Sequence, residues 1–182
     1  MPLKEPIKHC KNCGSPVVYR LPDDGDTKLR AVCTACSSVH YENPLNVVGT
    51  LPVWGEQILL CKRNIEPRFG LWTLPSGFME LGETLQEGAA RETQEEAGAQ
   101  FKVLDLFTVT SVVNVGQVHF YYRAELLSSV FDPGFETQEA RLFHESEIPW
   151  DLLAFRTVKE TLTRFFADRK KGAFALHQID LQ

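Results

Sequence analysis

The stretch Gly77–Ala99, GFMELGETLQEGAARETQEEAGA, constrains this chain more than any other part of it. Thr84 is followed three residues later by Glu87, the capping-box spacing in which hydroxyl and carboxylate each satisfy a free N–H of the first turn. This predicts a helix over Leu85–Ala97, with Thr84 as N-cap and Gly98 as the residue that stops it. Leu85, Ala89, Ala90, Thr93 and Ala97 form a face of mostly small side chains, able to lie close against a sheet.

The other face is acidic. Glu92, Glu95 and Glu96 stand at i, i+3 and i+4, so their carboxylates are expected on one side of the helix. Like charges at this spacing repel by a few tenths of a kcal/mol per pair, roughly, and the exposed carbonyls of a last turn disfavour them further. Three hard oxygen donors gathered against their own electrostatics are what Mg2+ or Mn2+ requires. An isolated pair of glutamates is ordinarily a solvated surface. Here Gly77, Glu83, Arg91, Glu92, Glu95, Glu96 and Gly98 all hold fixed spacings, a coincidence expected about once in 10^9 windows.

This pattern resembles the Nudix box, G-x5-E-x7-R-E-U-x-E-E-x-G-U, with U aliphatic. The resemblance implies an α+β protein, a Nudix α/β/α sandwich around a mixed sheet, that hydrolyses a nucleoside diphosphate linked to another group. It implies that Glu92, Glu95 and Glu96 ligate Mg2+ or Mn2+, with the Gly77 carbonyl as a further ligand. Arg91 and Glu83 would hold loop and helix together. One box glutamate, Glu95 or Glu96 first, or a carboxylate on a facing loop, would take the proton of the attacking water. The aliphatic slot is here Thr93, which has the shape of valine and leaves metal binding unaffected.

Cys10 and Cys13, then Cys33 and Cys36, form two Cys-x-x-Cys pairs with nineteen residues between them, the spacing of a four-cysteine zinc ribbon. Zinc would staple a unit too small to fold on apolar burial. A redox centre needs one such pair on a thioredoxin-like unit, and two matched pairs argue against it. Nucleic-acid binding by the ribbon would have no basic face beyond Lys4, Lys8 and Lys11. His9 and His40 read as surface or packing residues, and Cys61 as a buried small hydrophobe. The organisation expected is a ribbon over 1–40 and a larger domain over 41–182.

In that domain, NPLNVVGTLPVW and EQILLCKR read as a hairpin turning at Gly55, and Leu71–Leu74 as a short strand. FKVLDLFTVTSVV and QVHFYYRAEL read as two strands turning near Asn114 and Gly116, with one of the pairs His119/Tyr121 and Phe120/Tyr122 inward. A strand follows at Ala140–Phe143, with Ser146 capping a turn at EIPW. A helix from Leu152 to Lys170 carries Phe155, Val158, Leu162, Phe165 and Phe166 as its core stripe.

The net charge of −5 gives no general attraction to nucleic acid or to an acidic membrane. No run of about eighteen apolar residues and no apolar signal core at MPLKEPIKHC are present, so a cytoplasmic protein without membrane association is expected. The ribbon together with YENP, LPSGFMELGET, ETQEARLF and EIPWDLLAF resembles a zinc-ribbon Nudix group acting on ADP-ribose and FAD. That resemblance implies a homodimer, small-molecule dinucleotide substrates, and Glu139 near the metals or acting as base. The alternative for Glu139 is a surface carboxylate paired with Arg141 or another cation. A ribbon-bearing branch acting on NADH and NAD-capped RNA carries SQPWPFPxS downstream, absent after Ala99, which makes NADH the runner-up. A nucleotide-sensing protein without catalysis would be marked by a degraded box, and this box is intact.

Overall fold

The computed structural model describes residues 6–182; Lys4, one of the three lysines weighed above, lies outside them. The chain divides into two compact units, Met1–Pro44 and Leu45–Gln182. In the first, β1 (Val17–Arg20), β2 (Arg30–Cys33) and β3 (Val39–His40) form an antiparallel sheet in that order. The β1–β2 loop is tied by Arg30 Nε to Asp26 (2.7 Å) and by the Tyr41 hydroxyl donating to Asp24 (2.6 Å). Among the described residues of this unit the buried apolar ones are Cys10, Ala31, Val32 and Cys33, too few to stabilise a fold unaided.

In the second unit the strands are β4 (Leu45–Trp54), β5 (Gln57–Arg63), β6 (Trp72–Thr73), β7 (Ser76–Phe78), β8 (Phe101–Val112), β9 (Gln117–Leu126), β10 (Thr137–Phe143) and β11 (His177–Leu181), with helices α1 (Leu85–Ala97) and α2 (Arg156–Lys171). They make one mixed sheet ordered β10-β5-β4-β9-β8-β11. Alternation along β5 separates two cores: Ile58 and Leu60 pack with Val158, Leu162, Phe165 and Phe166 of α2, while Leu59 and Cys61 pack with Ala97 of α1. A helix therefore covers each face. Among the described residues, no helix is long and apolar enough to cross a membrane.

α1 has the expected bounds, with both halves of the capping box formed and Gly98 left-handed at φ 57. A side chain at Gly98 would also strike the Asp132 backbone. His119 and Tyr121 are the inward pair, 8% and 1% exposed.

Other expectations change. The β4–β5 hairpin pairs only at Val53↔Ile58 and Trp54↔Gln57, while the other edge of β4 runs parallel to β9 from Leu45↔Gln117 to Val53↔Glu125. Beyond the hairpin the two strands part. β7 takes the free edge of β4 and β6 the free edge of β5, so segment 72–78 fills the split. β10 begins at Thr137, before Ala140, and α2 begins at Arg156, with Phe155 as its N-cap. Ser146 lies inside a 3-10 turn whose cap is His144, since Glu147 bonds back to the His144 amide. β11, which has no counterpart among the sequence expectations, closes the edge in parallel with β8.

Candidate functional site

The split between β4 and β5 brings Gly77 under α1. A Cβ on Gly77 would fall on the Glu92 carboxylate, so glycine is what lets helix and strand come this close. Thr93, wholly buried, donates to the Ala89 carbonyl (2.7 Å) and meets the Thr50 hydroxyl of β4 (2.7 Å). The threonine in the aliphatic slot thus has a polar partner on the sheet.

Arg91 organises the loop that leads into α1. Its Nε and Nη2 grip the two oxygens of Glu83 (2.9 Å each), and Nη2 also donates to the Phe78 carbonyl (3.1 Å). Glu83 accepts the Glu80 amide as well (2.7 Å). The guanidinium and that amide hold the Glu83 carboxyl down at about 2. The remaining nitrogen, Nη1, bonds Glu92 (2.7 Å) and Glu95 (3.0 Å) together.

The three helix glutamates differ in environment. Glu95 is open to solvent, with 59% of its side chain exposed. Burial raises the Glu92 carboxyl, and the charges of Glu95 and Glu136 add to this against the pull of Arg91. Glu96 is 6% exposed and accepts the Ser76 amide (2.9 Å). Burial pushes its carboxyl up to about 8, against the Ser76 bond and the Arg63 charge, with Glu92 and Glu136 pushing the same way as burial. Glu92 and Glu95 therefore meet on Arg91, while Glu96 turns toward the sheet.

Ser76 passes the arrangement inward, its hydroxyl 3.1 Å from that of Tyr121, whose phenol burial pushes up to about 12. Glu139 stands exposed on β10 opposite Lys62. The register slips between Thr137 and Glu139, and from this segment the charge of Glu136 acts on Glu92 and Glu96. Glu136, Arg63 and Thr50 are the site's neighbours that the sequence reading does not single out. ETQEARLF offers two glutamates, and the register shift between Thr137 and Glu139 is invisible in the pattern. A cleft of about 680 Å3 runs along the flank of α1 past Arg91 and Gln94 to Phe101 and Leu127.

In the first unit, Cys10, Cys13, Cys33 and Cys36 place their sulfurs within 4.8 Å of one another, the cluster of metal-ligating type found among the described residues. Cys10–Cys36, Cys13–Cys33 and Cys13–Cys36 are 3.7, 3.5 and 3.5 Å apart. A tetrahedron with metal–sulfur bonds of about 2.3 Å has edges of about 3.8 Å. Amides of Asn12, Ala35 and Cys36 point at the Cys10 and Cys33 sulfurs (3.4 Å). The Ser38 hydroxyl and amide bring Cys36 down to about 6, and Ser15 lowers Cys13. The four thiols are positioned to bind a metal.

Together these features define a class: an acidic helix seated in a split mixed sheet, on a chain with a separate four-thiolate clip. The NUDIX domain family matches residues 44–166, and the zinc-ribbon family described as Nudix N-terminal matches residues 8–42. The chain belongs to the NUDIX family.

It is similar to a NUDIX hydrolase from Nitrosomonas europaea, whose crystal structure superposes with a TM-score of 0.92 at 46% identity, covering 96% of this chain and 99% of that one. Among curated proteins it is 30% identical over 129 residues to the NAD-capped RNA hydrolase NudC of Photobacterium profundum, covering 70% of this chain and 46% of the relative. NudC of Salmonella typhi is 34% identical over 106 residues, 57% of this chain and 37% of the relative. The chain spans about half the length of the curated relatives it matches, or less. An ADP-ribose pyrophosphatase from Streptococcus suis 89-1591, at 20% identity and a TM-score of 0.60 over 76% of this chain and 99% of that one, shares the fold.

Proposed function

We propose that this chain is a metal-dependent pyrophosphohydrolase cleaving the phosphoanhydride of a nucleoside diphosphate linked to a second group, with ADP-ribose and FAD as leading substrates. The observation that carries the reading is Glu96, a carboxyl 6% exposed beside Glu92 and Glu136, compensated by one amide and the Arg63 charge. A carboxylate buried among charges of its own sign is costly until a cation joins it. The donors are hard oxygens, which suits Mg2+ or Mn2+. Glu92, Glu95, Glu96 and the Gly77 carbonyl would hold the ion.

When bound, such a cation neutralises phosphate oxygens and lowers the pKa of water. The chain's own residues do the rest. Arg91 and Glu83 fix the loop against the helix, so that the donors keep their geometry. Glu95, the most exposed of the three glutamates, has room to accept the proton of the attacking water. Glu136, whose charge acts on Glu92 and Glu96, is the second candidate for that proton, alongside Glu139 of the same segment. Zn2+ in the four-cysteine clip is structural in this reading. A homodimer rests on the family resemblance.

The names of the curated relatives favour a second reading, hydrolysis of NADH or of NAD-capped RNA. The missing SQPWPFPxS signature after Ala99 ranks it second. The test is side-by-side turnover of ADP-ribose, FAD, NADH, NAD-capped RNA and nucleoside triphosphates with Mg2+ or Mn2+. ADP-ribose or FAD is expected to show the highest kcat/KM, and Glu96→Gln to lower kcat by about a hundredfold or more. No turnover of any substrate, with Glu96→Gln indistinguishable from the parent, would overturn the proposal.

A further inference from the structure

Two exposed phenylalanines that take no part in either core are carried by segments tied to the acidic cluster. Phe69, in the β5–β6 loop, is 57% exposed, and Phe135, just before β10, is 81% exposed. Scattered apolar side chains on a surface need no explanation. These two differ because the backbone carrying each is fixed to the site.

Gly134 donates to the Glu95 carbonyl (3.2 Å) and Asp132 to the Ala97 carbonyl (3.1 Å), which docks the segment bearing Phe135 onto the end of α1. On its other side is Glu136, whose charge acts on Glu92 and Glu96. The loop bearing Phe69 is closed by Arg63 N–H to the Leu71 carbonyl and Gly70 N–H to the Arg63 carbonyl (2.9 Å each), and by Arg63 Nε to the Pro67 carbonyl (2.9 Å). Arg63 in turn acts on Glu96. Asn64 ties the two segments together, its amide N–H donating to the Glu136 carbonyl and its Nδ2 to the Phe135 carbonyl, both at 2.7 Å.

We propose that Phe69 and Phe135 bind the substrate by receiving its aromatic base on their ring faces. The inference rests on the pyrophosphohydrolase reading and deepens it. Close to Glu92, Glu95, Glu96 and Glu136, an anionic recognition group would be repelled and a cationic one drawn to the carboxylates. A neutral planar ring is the part of a nucleotide that this rim can hold. Stacking also tolerates any base, because every base has a π-face. Pre-anchored loops spare much of the ordering cost that a mobile aromatic would incur on binding.

The test uses the full chain and two probes, AMP, which carries a base, and ribose 5-phosphate, which does not. Titration calorimetry on the parent should show AMP bound more tightly. Phe69→Ala and Phe135→Ala should each weaken AMP by about tenfold to a hundredfold, leave ribose 5-phosphate unchanged, and raise KM for ADP-ribose by a similar factor with kcat within about threefold. Phe135→Tyr should restore AMP binding. Thermal melting of each variant checks that the fold is kept.

AMP affinity unchanged in both alanine variants overturns the proposal, as does an equal loss for ribose 5-phosphate, which would mark a change of loop shape. A parent that binds AMP no better than ribose 5-phosphate, or alanine variants that change sedimentation and not AMP affinity, would also overturn it, the latter assigning the rings to a second copy of the chain. Calorimetry needs no turnover. A parent that hydrolyses nothing yet loses AMP on Phe135→Ala would overturn the enzymatic reading and keep the base site.

Discussion

Thr93 occupies the one box position that departs from an aliphatic residue, and its environment gives the reason. Its hydroxyl donates to Ala89 and meets that of Thr50, and both threonines are 0% exposed. Thr93→Val keeps the shape and leaves the Thr50 hydroxyl buried without a partner, which should cost about 1–3 kcal/mol. Thr50→Val should cost less, since Thr93 retains its bond to Ala89. The double variant removes both polar groups and should recover most of the loss, because two apolar groups of the same shape leave nothing unsatisfied. Urea denaturation of the four proteins measures this. A double variant as unstable as the sum of the singles would show that the pair is not coupled.

At the level of elements, what could be read in the sequence was whatever depends on neighbours in the chain. The ends of α1 follow from Thr84, Glu87 and Gly98, and alternation gives one inward pair on β9 without saying that it is His119 and Tyr121. Long-range pairing was not legible. Nothing in Leu45–Trp54 states that β9 lies parallel beside it, nor that β4 and β5 part to admit segment 72–78, although this split is what sets Gly77 beneath Glu92. β11 was missed because HQIDL is short and partly polar. A polar latch also helps hold it: His177 Nε2 lies 2.7 Å from Asp168 of α2, which also accepts the Ala175 amide (3.2 Å). Burial pushes the Asp168 carboxyl up, but the His177 and Ala175 bonds and nearby cations outweigh it and hold it below its usual range. A carboxyl lowered by folding stabilises fully above its unfolded value of about 3.9, and the contribution fades as pH falls through the lower folded value. Asp168→Asn should therefore speed amide exchange over His177–Leu181 at neutral pH, and the difference from the parent should shrink below about pH 4. A difference that persists unchanged in acid would place the effect in packing.

For the molecule as a whole, the two units obtain their stability from different sources. Leu45–Gln182 has a core of large side chains on one face of its sheet, including Phe107, Tyr121, Leu162 and Phe165, and a smaller cluster on the other, including Leu59 and Leu126. Met1–Pro44 buries Ala31 and Val32 with two of its own candidate ligands, Cys10 and Cys33. Apolar burial on that scale does not offset the entropy of ordering some forty residues, roughly 1–2 kcal/mol for each backbone. Metal ligation, with apparent free energies of about 10–16 kcal/mol for zinc in small finger domains, is large enough to make the difference. Hydrogen bonds lower the Cys36 and Cys13 thiols, while burial and the neighbouring thiols raise Cys33. Titration with an organomercurial should therefore release about one zinc per chain, read with a chromophoric chelator. Amide protection over residues 8–42 should be lost in step, while the melting transition of the larger unit shifts by only a few degrees at most. Cys10→Ser should lose zinc and ribbon protection without any mercurial. Protection that survives complete metal release would mean that hydrogen bonds and packing hold the ribbon by themselves, and that the metal is an occupant of a pre-formed clip.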